Sequence, residues 1–152
     1  MPPISLLPLL FFILFSSIAP VTSETTFTFS GNITCNIPNR PFSYMIQIME
    51  HDLTSPDDVL SEDILFTSYY PRAEYKITGK DYHDGPWNNF YEIYVLANHD
   101  CFGVNLFFHM SLRIPIGEFK IVDGQHHEMI LNIDVTRAGE QYDWNGPNKL
   151  LK

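Results

Sequence analysis

Apolar and polar residues alternate with a period of two along much of the chain after residue 23. In residues 44–50, the even positions Tyr44, Ile46 and Ile48 are more apolar than the odd positions. Such alternation places the two sets on opposite faces of a β-strand. Other segments rich in β-branched and aromatic residues occur at 27–35, with a kink near Gly31, and at 64–67, 74–78, 90–96, 106–114 and 129–135.

About seven strands at this spacing, without a long apolar stripe of period 3.6, predict an all-β fold, an antiparallel β-sandwich. Two strands are predicted to end at turn-forming residues, 74–78 at Gly79 and 106–114 at Pro115 and Gly117. A short stretch, 56–63, follows a capping serine and begins with proline, which predicts one helical turn at most. In the last strand the odd positions are predicted to face the core, namely Met129, Leu131, Ile133 and Val135.

The first 23 residues differ from the rest because they carry no charged side chain. The apolar run at 6–15 is shorter than the roughly twenty residues that a membrane-spanning helix needs. Small residues, Val21 and Ser23, occupy the positions that a signal peptidase recognises, so residues 1–23 are predicted to be a cleaved signal peptide. The alternative is an uncleaved membrane anchor. The prediction is a secreted, extracellular or cell-surface chain with a β-sandwich domain at 24–140 and a polar tail at 141–152.

Composition and charge narrow the class of function. Hydrophobic residues make up 45% of the chain and charged residues 18%, which is typical of a globular protein. The formal net charge of −9 argues against a nucleic-acid partner, because phosphate binding requires a basic face. The same charge disfavours unaided adhesion to anionic lipid.

The predicted export bears on the two cysteines and on one glycosylation triplet, because disulfides and N-linked glycans form in exported proteins. In an oxidising compartment, Cys35 and Cys101 are the single possible intrachain pair, so a disulfide is predicted between them. The alternative is a catalytic thiol with a nearby histidine. Asn32 begins an Asn-Ile-Thr acceptor and is predicted to carry a glycan if it lies on the surface.

Several short motifs together are similar to those of one known family. They are Gly31-x-x-Thr34-Cys35, then Pro41, the segment 45–52, Asp57-Asp58-x-Leu60, Asn98-His99-Asp100-Cys101 and Arg113-Ile114-Pro115-Ile116. From about Thr26 to Val135 the chain resembles the nematode transthyretin-like family. The resemblance implies a transthyretin-type β-sandwich, secretion and an extracellular role, one reported type being the bridging of exposed phospholipid to a phagocyte receptor. The chain departs from the family pattern at Tyr69-Tyr70-Pro71-Arg72-Ala73, which replaces a glycine-containing turn, and at a long insert, 80–87.

Candidate catalytic and metal-binding groups are sparse. The enzymatic relatives of transthyretin use a Tyr-Arg-Gly-Ser signature that is absent here. His126 and His127 are adjacent, so on a strand their rings point to opposite faces and do not readily share a metal ion. His99 is predicted to be a structural hydrogen-bonding group near the disulfide. The acidic segment 50–63 offers oxygen ligands for Ca²⁺, but it lacks the EF-hand glycine, and a solvated acidic loop is favoured.

Aromatic residues in two loops provide the candidate binding surface. They are Tyr69, Tyr70, Trp87 and Phe90. Exposed aromatic rings combine a large apolar area with polar tips, which suits recognition. The sequence therefore predicts a non-enzymatic binding or bridging module without cofactor, whose partner is an extracellular protein, a lipid or a small apolar ligand. The alternative is a cryptic hydrolase or metal-binding protein that uses His99, His126 or His127.

Overall fold

The structure, a computed structural model, describes residues 24–53, 55–82, 90–102, 109–122 and 124–142. The described residues form two β-sheets joined by one disulfide, and they contain no helix, which confirms the predicted all-β class. The strands are β1 Thr25–Thr34, β2 Phe42–Glu50, β3 Asp58–Val59, β4 Leu65–Ser68, β5 Arg72–Asp81, β6 Phe90–His99, β7 His109–Lys120, β8 His126–Ile130, β9 Ile133–Asp134 and β10 Glu140–Tyr142. No helix long and apolar enough to cross a membrane occurs in these ranges.

Sheet A has β1 at its centre, paired with β5 on one side and with β8 and β9 on the other. Sheet B has the strand order β10-β7-β6-β2-β3, and β4 also pairs with β2. All pairings are antiparallel except those of β1 with β8 and β9, which are parallel. The prediction of a wholly antiparallel sandwich is therefore wrong at this position. Parallel strands need a long crossover connection, and here the six intervening strands supply it.

The core lies between the two sheets and is rich in aromatic side chains. In β2 the even residues Tyr44, Ile46 and Ile48 belong to it, as the alternation predicts. The Phe27 ring meets the Tyr91 ring edge-on, with the ring centroids 5.7 Å apart. The other fully buried members include Phe29, Ile33, Phe42, Val95 and Val135.

The final predicted strand is divided into β8 and β9, and the core-facing set is confirmed in part. Ile133 and Val135 are buried and Leu131 packs against the core. Met129 is 39% exposed, so its predicted place in the core is wrong. In the described part of sheet A, β8 pairs on one side alone, and this position at the edge leaves its side chains less covered.

Two predicted strand ends are also wrong. The strand β7 continues through Pro115 and Gly117 to Lys120. Proline is tolerated there because β10 pairs only with Ser111, Met110 and His109, so no described strand needs a hydrogen bond from Pro115 on that side. Opposite it, the pairing of β6 with β7 shifts register between Ile93 and Tyr94, a bulge that also accommodates proline.

Gly79 lies inside β5 instead of ending it. A Cβ atom at this position would lie 3.0 Å from the Leu60 Cβ and 3.2 Å from the Ile48 Cδ1. The glycine therefore allows the segment 58–61 to pack closely on β5. This segment contains β3 and forms no helical turn, because its backbone pairs with β2 instead.

The segment 58–61 connects the two sheets along one side of the sandwich. The Leu60 amide donates to the Ile48 carbonyl in sheet B at 2.9 Å, and the Leu60 carbonyl accepts from the Lys80 amide in sheet A at 3.0 Å. The Ser61 hydroxyl accepts from the Ile48 amide at 2.9 Å. At the carboxyl end of the described chain, β10 extends two residues beyond the predicted domain boundary at 140.

Candidate functional site

One end of the sandwich is fastened by the predicted disulfide. Cys35 follows β1 in sheet A and Cys101 follows β6 in sheet B, and their Cα atoms are 5.9 Å apart. Both cysteines are buried, and His99 beside them is buried as well. The His99 Nδ1 accepts a hydrogen bond from the Cys101 amide at 3.2 Å, which agrees with a structural role. A disulfide fits an extracellular protein, since reducing compartments keep thiols free.

A cleft of about 600 Å³ lies at this disulfide end, between the loop that connects β1 to β2 and the turn that precedes β5. We call it the disulfide-end cleft, and its lining comprises Asn36, Ile37, Pro38, Asn39, Arg40, Pro41, Tyr69 and Pro71. The loop is anchored at its start, because the Cys35 amide donates to the Pro71 carbonyl at 2.8 Å. The Asn36 amide donates to the Thr136 hydroxyl at 2.9 Å. Asn39 has a φ of 55°, a left-handed conformation that asparagine tolerates in turns.

Among the described residues that line this cleft, Arg40 is the single charged one. Its terminal nitrogens, Nη1 and Nη2, are screened from solvent and have no hydrogen-bond partner within the described ranges. Arginine keeps its charge at every accessible pH, so it cannot relieve burial by losing a proton. A buried charge without a partner costs several kcal/mol, which makes Arg40 a candidate binding group.

The disulfide end carries charged residues of both signs, because Asp100 and Asp134 lie there together with arginines. Three of the four arginines lie there. Arg72 begins β5 opposite Thr34, and the Arg137 amide donates to the Cys101 carbonyl at 3.0 Å. Because Arg40 lines the cleft and no described aspartate or glutamate does, the charge inside the cleft favours an anionic ligand despite the net charge of −9.

The structure does not bring the four predicted aromatic residues together. Tyr69 and Tyr70 are 79% and 75% exposed at the disulfide end, and Tyr69 lines the cleft. Phe90 is 43% exposed at the opposite end of β6, nine residues and about 30 Å from His99. Trp87 lies outside the described residues. The candidate surface is therefore confined to the tyrosine pair and its cleft.

Asn32 is half-buried on β1 and its side chain is held by two neighbours. Its Nδ2 donates to the Asn132 Oδ1 at 3.1 Å, and its Oδ1 accepts from the Arg72 Nε at 2.7 Å. In the folded chain, the amide nitrogen that would carry a glycan is thus engaged in a hydrogen bond. Glycosylation at this position stays a prediction.

Of the three histidines of the alternative function, His99 lies far from the adjacent pair His126 and His127. His99 lies at the disulfide end, whereas His126 and His127 pair with Thr26 and Phe27 at the other end of sheet A. His126 is exposed, while the His127 ring stacks on Phe27 with centroids 5.2 Å apart. Burial, together with the nearby His126, lowers the pKa of His127. Among the described residues, no three His, Cys, Asp or Glu side chains form a group able to hold a metal ion.

Part of the acidic segment forms a hydrogen-bonded cluster on the outer side of sheet B. The Asp57 carboxylate accepts from the Tyr94 hydroxyl at 2.6 Å and contacts the His51 Nδ1 at 2.8 Å. The Arg113 guanidinium lies 3.7 Å from the centre of the Tyr94 ring and 3.8 Å from Asp57. Desolvation alone would raise the pKa of Asp57, but the bonds from Tyr94 and His51 outweigh it and lower this pKa. Asp57 is thus a structural anchor for the segment.

We expect the substitution Asp57→Asn to destabilise the fold by about 1–2 kcal/mol at neutral pH, because it weakens hydrogen bonds to a charged group. A carboxyl with a lowered pKa contributes its full stability above its ordinary pKa of 3.8, and that contribution is lost as the pH falls through the lower, folded value. The difference between the wild type and Asp57→Asn should therefore shrink as the pH falls below 3.8. Urea unfolding across this pH range measures it.

The matched control is Asp58→Asn, which makes the same chemical change at an exposed neighbouring position. Equal effects of the two substitutions at neutral pH would contradict the anchoring role of Asp57.

Sequence reasoning missed both Arg40 and the Asp57 cluster. The Pro-Asn-Arg-Pro stretch at 38–41 signals a turn, but the burial of Arg40 depends on residues about thirty positions away in the chain. His51 and Asp57 are separated by six residues, a spacing without a recognisable motif. Their contact results from the path of the segment over sheet B.

Models of known protein families, curated protein sequences and solved structures were compared with the chain, and none of them matches it. The candidate site is thus defined by the geometry of the described residues. They form a disulfide-linked end of the sandwich that contains a cleft with the buried Arg40 guanidinium and two exposed tyrosines.

Proposed function

We propose that this chain is a secreted binding module of the transthyretin-like type, which captures an extracellular partner at the disulfide-end cleft. The observation that carries this proposal is the position of Tyr69, which is 79% exposed and lines a cleft of about 600 Å³. A cavity of this size lies within the range of small-molecule sites, roughly 300–1,000 Å³. The role is binding without chemical conversion of the ligand.

The exported, transthyretin-like character is supported by four features. Residues 1–23 have the pattern of a signal peptide, and a disulfide bond is stable outside the cytosol. The two-sheet, all-β architecture is the kind that the sequence resemblance implies. The His-x-Cys element of that resemblance lies at the end of β6, where His99 bonds to the Cys101 amide.

The tyrosine pair suits capture for a physical reason. Tyr69 and Tyr70 present large rings to solvent, and the two rings lose little conformational entropy when a partner covers them. The backbone beneath them is fixed, because the Ser68 hydroxyl donates to the Tyr70 carbonyl at 2.9 Å and accepts from the Tyr70 amide at 3.2 Å. A fixed backbone under exposed aromatic rings is a preorganised contact surface.

The test is capture by the purified, oxidised mature chain from extracellular fluid and detergent-solubilised cell membranes, with bound material identified by mass spectrometry. We expect Tyr69→Ser combined with Tyr70→Ser to weaken capture by at least about tenfold, the effect of losing one hot-spot aromatic contact of roughly 2 kcal/mol. The circular dichroism spectrum should stay unchanged because both rings are exposed.

The matched control is Leu53→Ser, which removes an exposed apolar side chain in a different loop. A second comparison is Phe90→Ala, at the opposite end of the sandwich. Undiminished capture by the double tyrosine variant would overturn the proposed site. Loss of capture in Phe90→Ala alone would move the site to the other end.

A further inference from the structure

We propose that the disulfide-end cleft binds a small organic carboxylate with an apolar body, and that Arg40 holds the carboxylate group. The inference rests on the proposed function, because it names the class of ligand that the same cleft takes. It starts from the Arg40 guanidinium, whose Nη1 and Nη2 atoms are screened from solvent and have no hydrogen-bond partner in the part of the chain that the structure describes.

The chemistry of the guanidinium selects a flat, two-oxygen acceptor. The Nη1 and Nη2 atoms form the outer edge of the group and carry four of its five N–H donors. A carboxylate presents two oxygens at the matching spacing and accepts two parallel hydrogen bonds from this edge. Binding would thus remove the cost of the unpaired buried charge at Arg40.

The charge balance in the cleft favours a carboxylate over a phosphate. Arg40 is the one charged residue in the lining, so it neutralises a single negative charge. A phosphomonoester carries about −1.5 to −2 charges near pH 7 and needs further cationic donors. The remaining polar groups of the lining, Asn36, Asn39 and the Tyr69 hydroxyl, are neutral.

The walls of the cleft favour an apolar body attached to the carboxylate. They include Ile37, three prolines (Pro38, Pro41 and Pro71) and the ring of Tyr69. Proline and isoleucine side chains cannot form hydrogen bonds. Covering them with an apolar group is favourable because it removes their apolar surface from water. A ligand with a charged end and an aromatic or aliphatic body matches both parts of the lining.

Access to the guanidinium requires side-chain movement at the rim of the cleft, since Nη1 and Nη2 are screened from solvent. Tyr69 is the most exposed of the lining side chains with large apolar area, and its ring can rotate away without loss of core packing. We therefore expect the resonances of Tyr69 and of residues 36–41 to respond together when a ligand enters.

The experiment is a titration of the ¹⁵N-labelled, oxidised mature chain, followed by NMR. The probes are 3-phenylpropionate, its uncharged amide 3-phenylpropanamide, and inorganic phosphate. We expect saturable chemical-shift changes with 3-phenylpropionate at residues 36–41 and 69–71. The dissociation constants for the amide and for phosphate should be at least about tenfold larger, because neither forms the same charge-assisted pair with Arg40.

The variant Arg40→Gln should weaken binding of 3-phenylpropionate by about tenfold or more and leave binding of the amide unchanged. Arg40→Lys should recover part of the loss, because lysine restores the charge without the paired donors. The matched control is Arg137→Gln, which removes an exposed arginine at the same end that does not line the cleft.

The absence of saturable binding of 3-phenylpropionate up to about 10 mM, roughly ten times the dissociation constant of about 1 mM expected for so small a ligand, would overturn the inference. Equal loss in Arg40→Gln and Arg137→Gln would reduce it to a general charge effect and also overturn it. Equal affinity for inorganic phosphate would overturn the assignment to carboxylates. Capture by the tyrosine pair is measured separately, so either proposal can fail while the other stands.

Discussion

Replacing both Cys35 and Cys101 by alanine is expected to destabilise the fold by about 4 kcal/mol, the largest single effect that we predict. The disulfide closes a loop with a sequence separation of 66 residues. In the chain-entropy model, such a cross-link restricts the unfolded chain by about 4 kcal/mol. For a domain of this size the melting temperature should fall by about 15 °C. Thermal and urea unfolding of the oxidised mature chain and of the double variant measure the difference.

Alanine is the appropriate replacement because both cysteines are buried, and serine would add unsatisfied hydroxyl groups. Chemical reduction of the wild type provides a second comparison that leaves the sequence intact. The two treatments should agree within about 1 kcal/mol, since alanine differs from a buried thiol mainly by one sulfur atom. If both lower the melting temperature by only a degree or two, the cross-link does not stabilise this fold.

Substitution of Gly31 by alanine is expected to cost about 3 kcal/mol or more, because backbone has to move. A Cβ atom at Gly31 would lie 2.1 Å from the Leu131 carbonyl oxygen. The displaced backbone would also weaken the bond from the Leu131 amide to the Ser30 carbonyl, now 2.8 Å, and that from the Asn32 amide to the Asn132 side chain, now 3.0 Å. Urea unfolding should show the loss as a lower midpoint.

Gly124→Ala is the matched control, because Gly124 has a φ of 70° but no atom within 4 Å of the added Cβ. Its cost should be limited to backbone strain, about 1 kcal/mol. If the two glycine substitutions cost the same, the close approach of β1 to the segment between β8 and β9 is not what requires Gly31.

The strands that the sequence predicted best are those with one clearly apolar face. In β2 the alternation identifies Tyr44, Ile46 and Ile48 as core residues, although the opposite face of this central strand is also largely buried. Gly31, near which a kink is predicted, lies inside one continuous strand that pairs with β5 from Thr25 to Thr34. The predicted pairing of Cys35 with Cys101 is confirmed, and it could be predicted because two cysteines allow a single intrachain pair.

The errors arise where the local signal depends on a distant partner. Pro115 and Gly79 are turn-forming residues, yet both lie inside strands. Proline is accepted because, on the side of β7 away from β6, no described strand pairs with it there, and glycine is required because Leu60 packs against it. Neither neighbour can be identified from the residues next to Pro115 or Gly79 in the sequence. The parallel pairing of β1 with β8 likewise depends on the path of the whole chain.

The candidate site could be predicted in part. Tyr69 and Tyr70 follow a strand and precede a proline, which correctly indicates an exposed turn. Grouping them with Phe90 was wrong, because the antiparallel register of β2 with β6 places Phe90 at the opposite end. The disulfide-end cleft could not be predicted, since its two walls are separated by about thirty residues of sequence.

The link that Leu60 makes between the sheets limits how the cleft can change shape. Main-chain hydrogen bonds to Ile48 and Lys80 hold the sheets together along one side, and the disulfide holds them at the cleft itself. The two sheets therefore cannot separate to accommodate a large ligand. Adaptation is left to side chains and to the loop 36–41, so selectivity comes from fit against nearly fixed walls. A cleft with nearly fixed walls selects ligands by size and rigidity. Long flexible ligands bind less favourably because they would lose conformational entropy inside it.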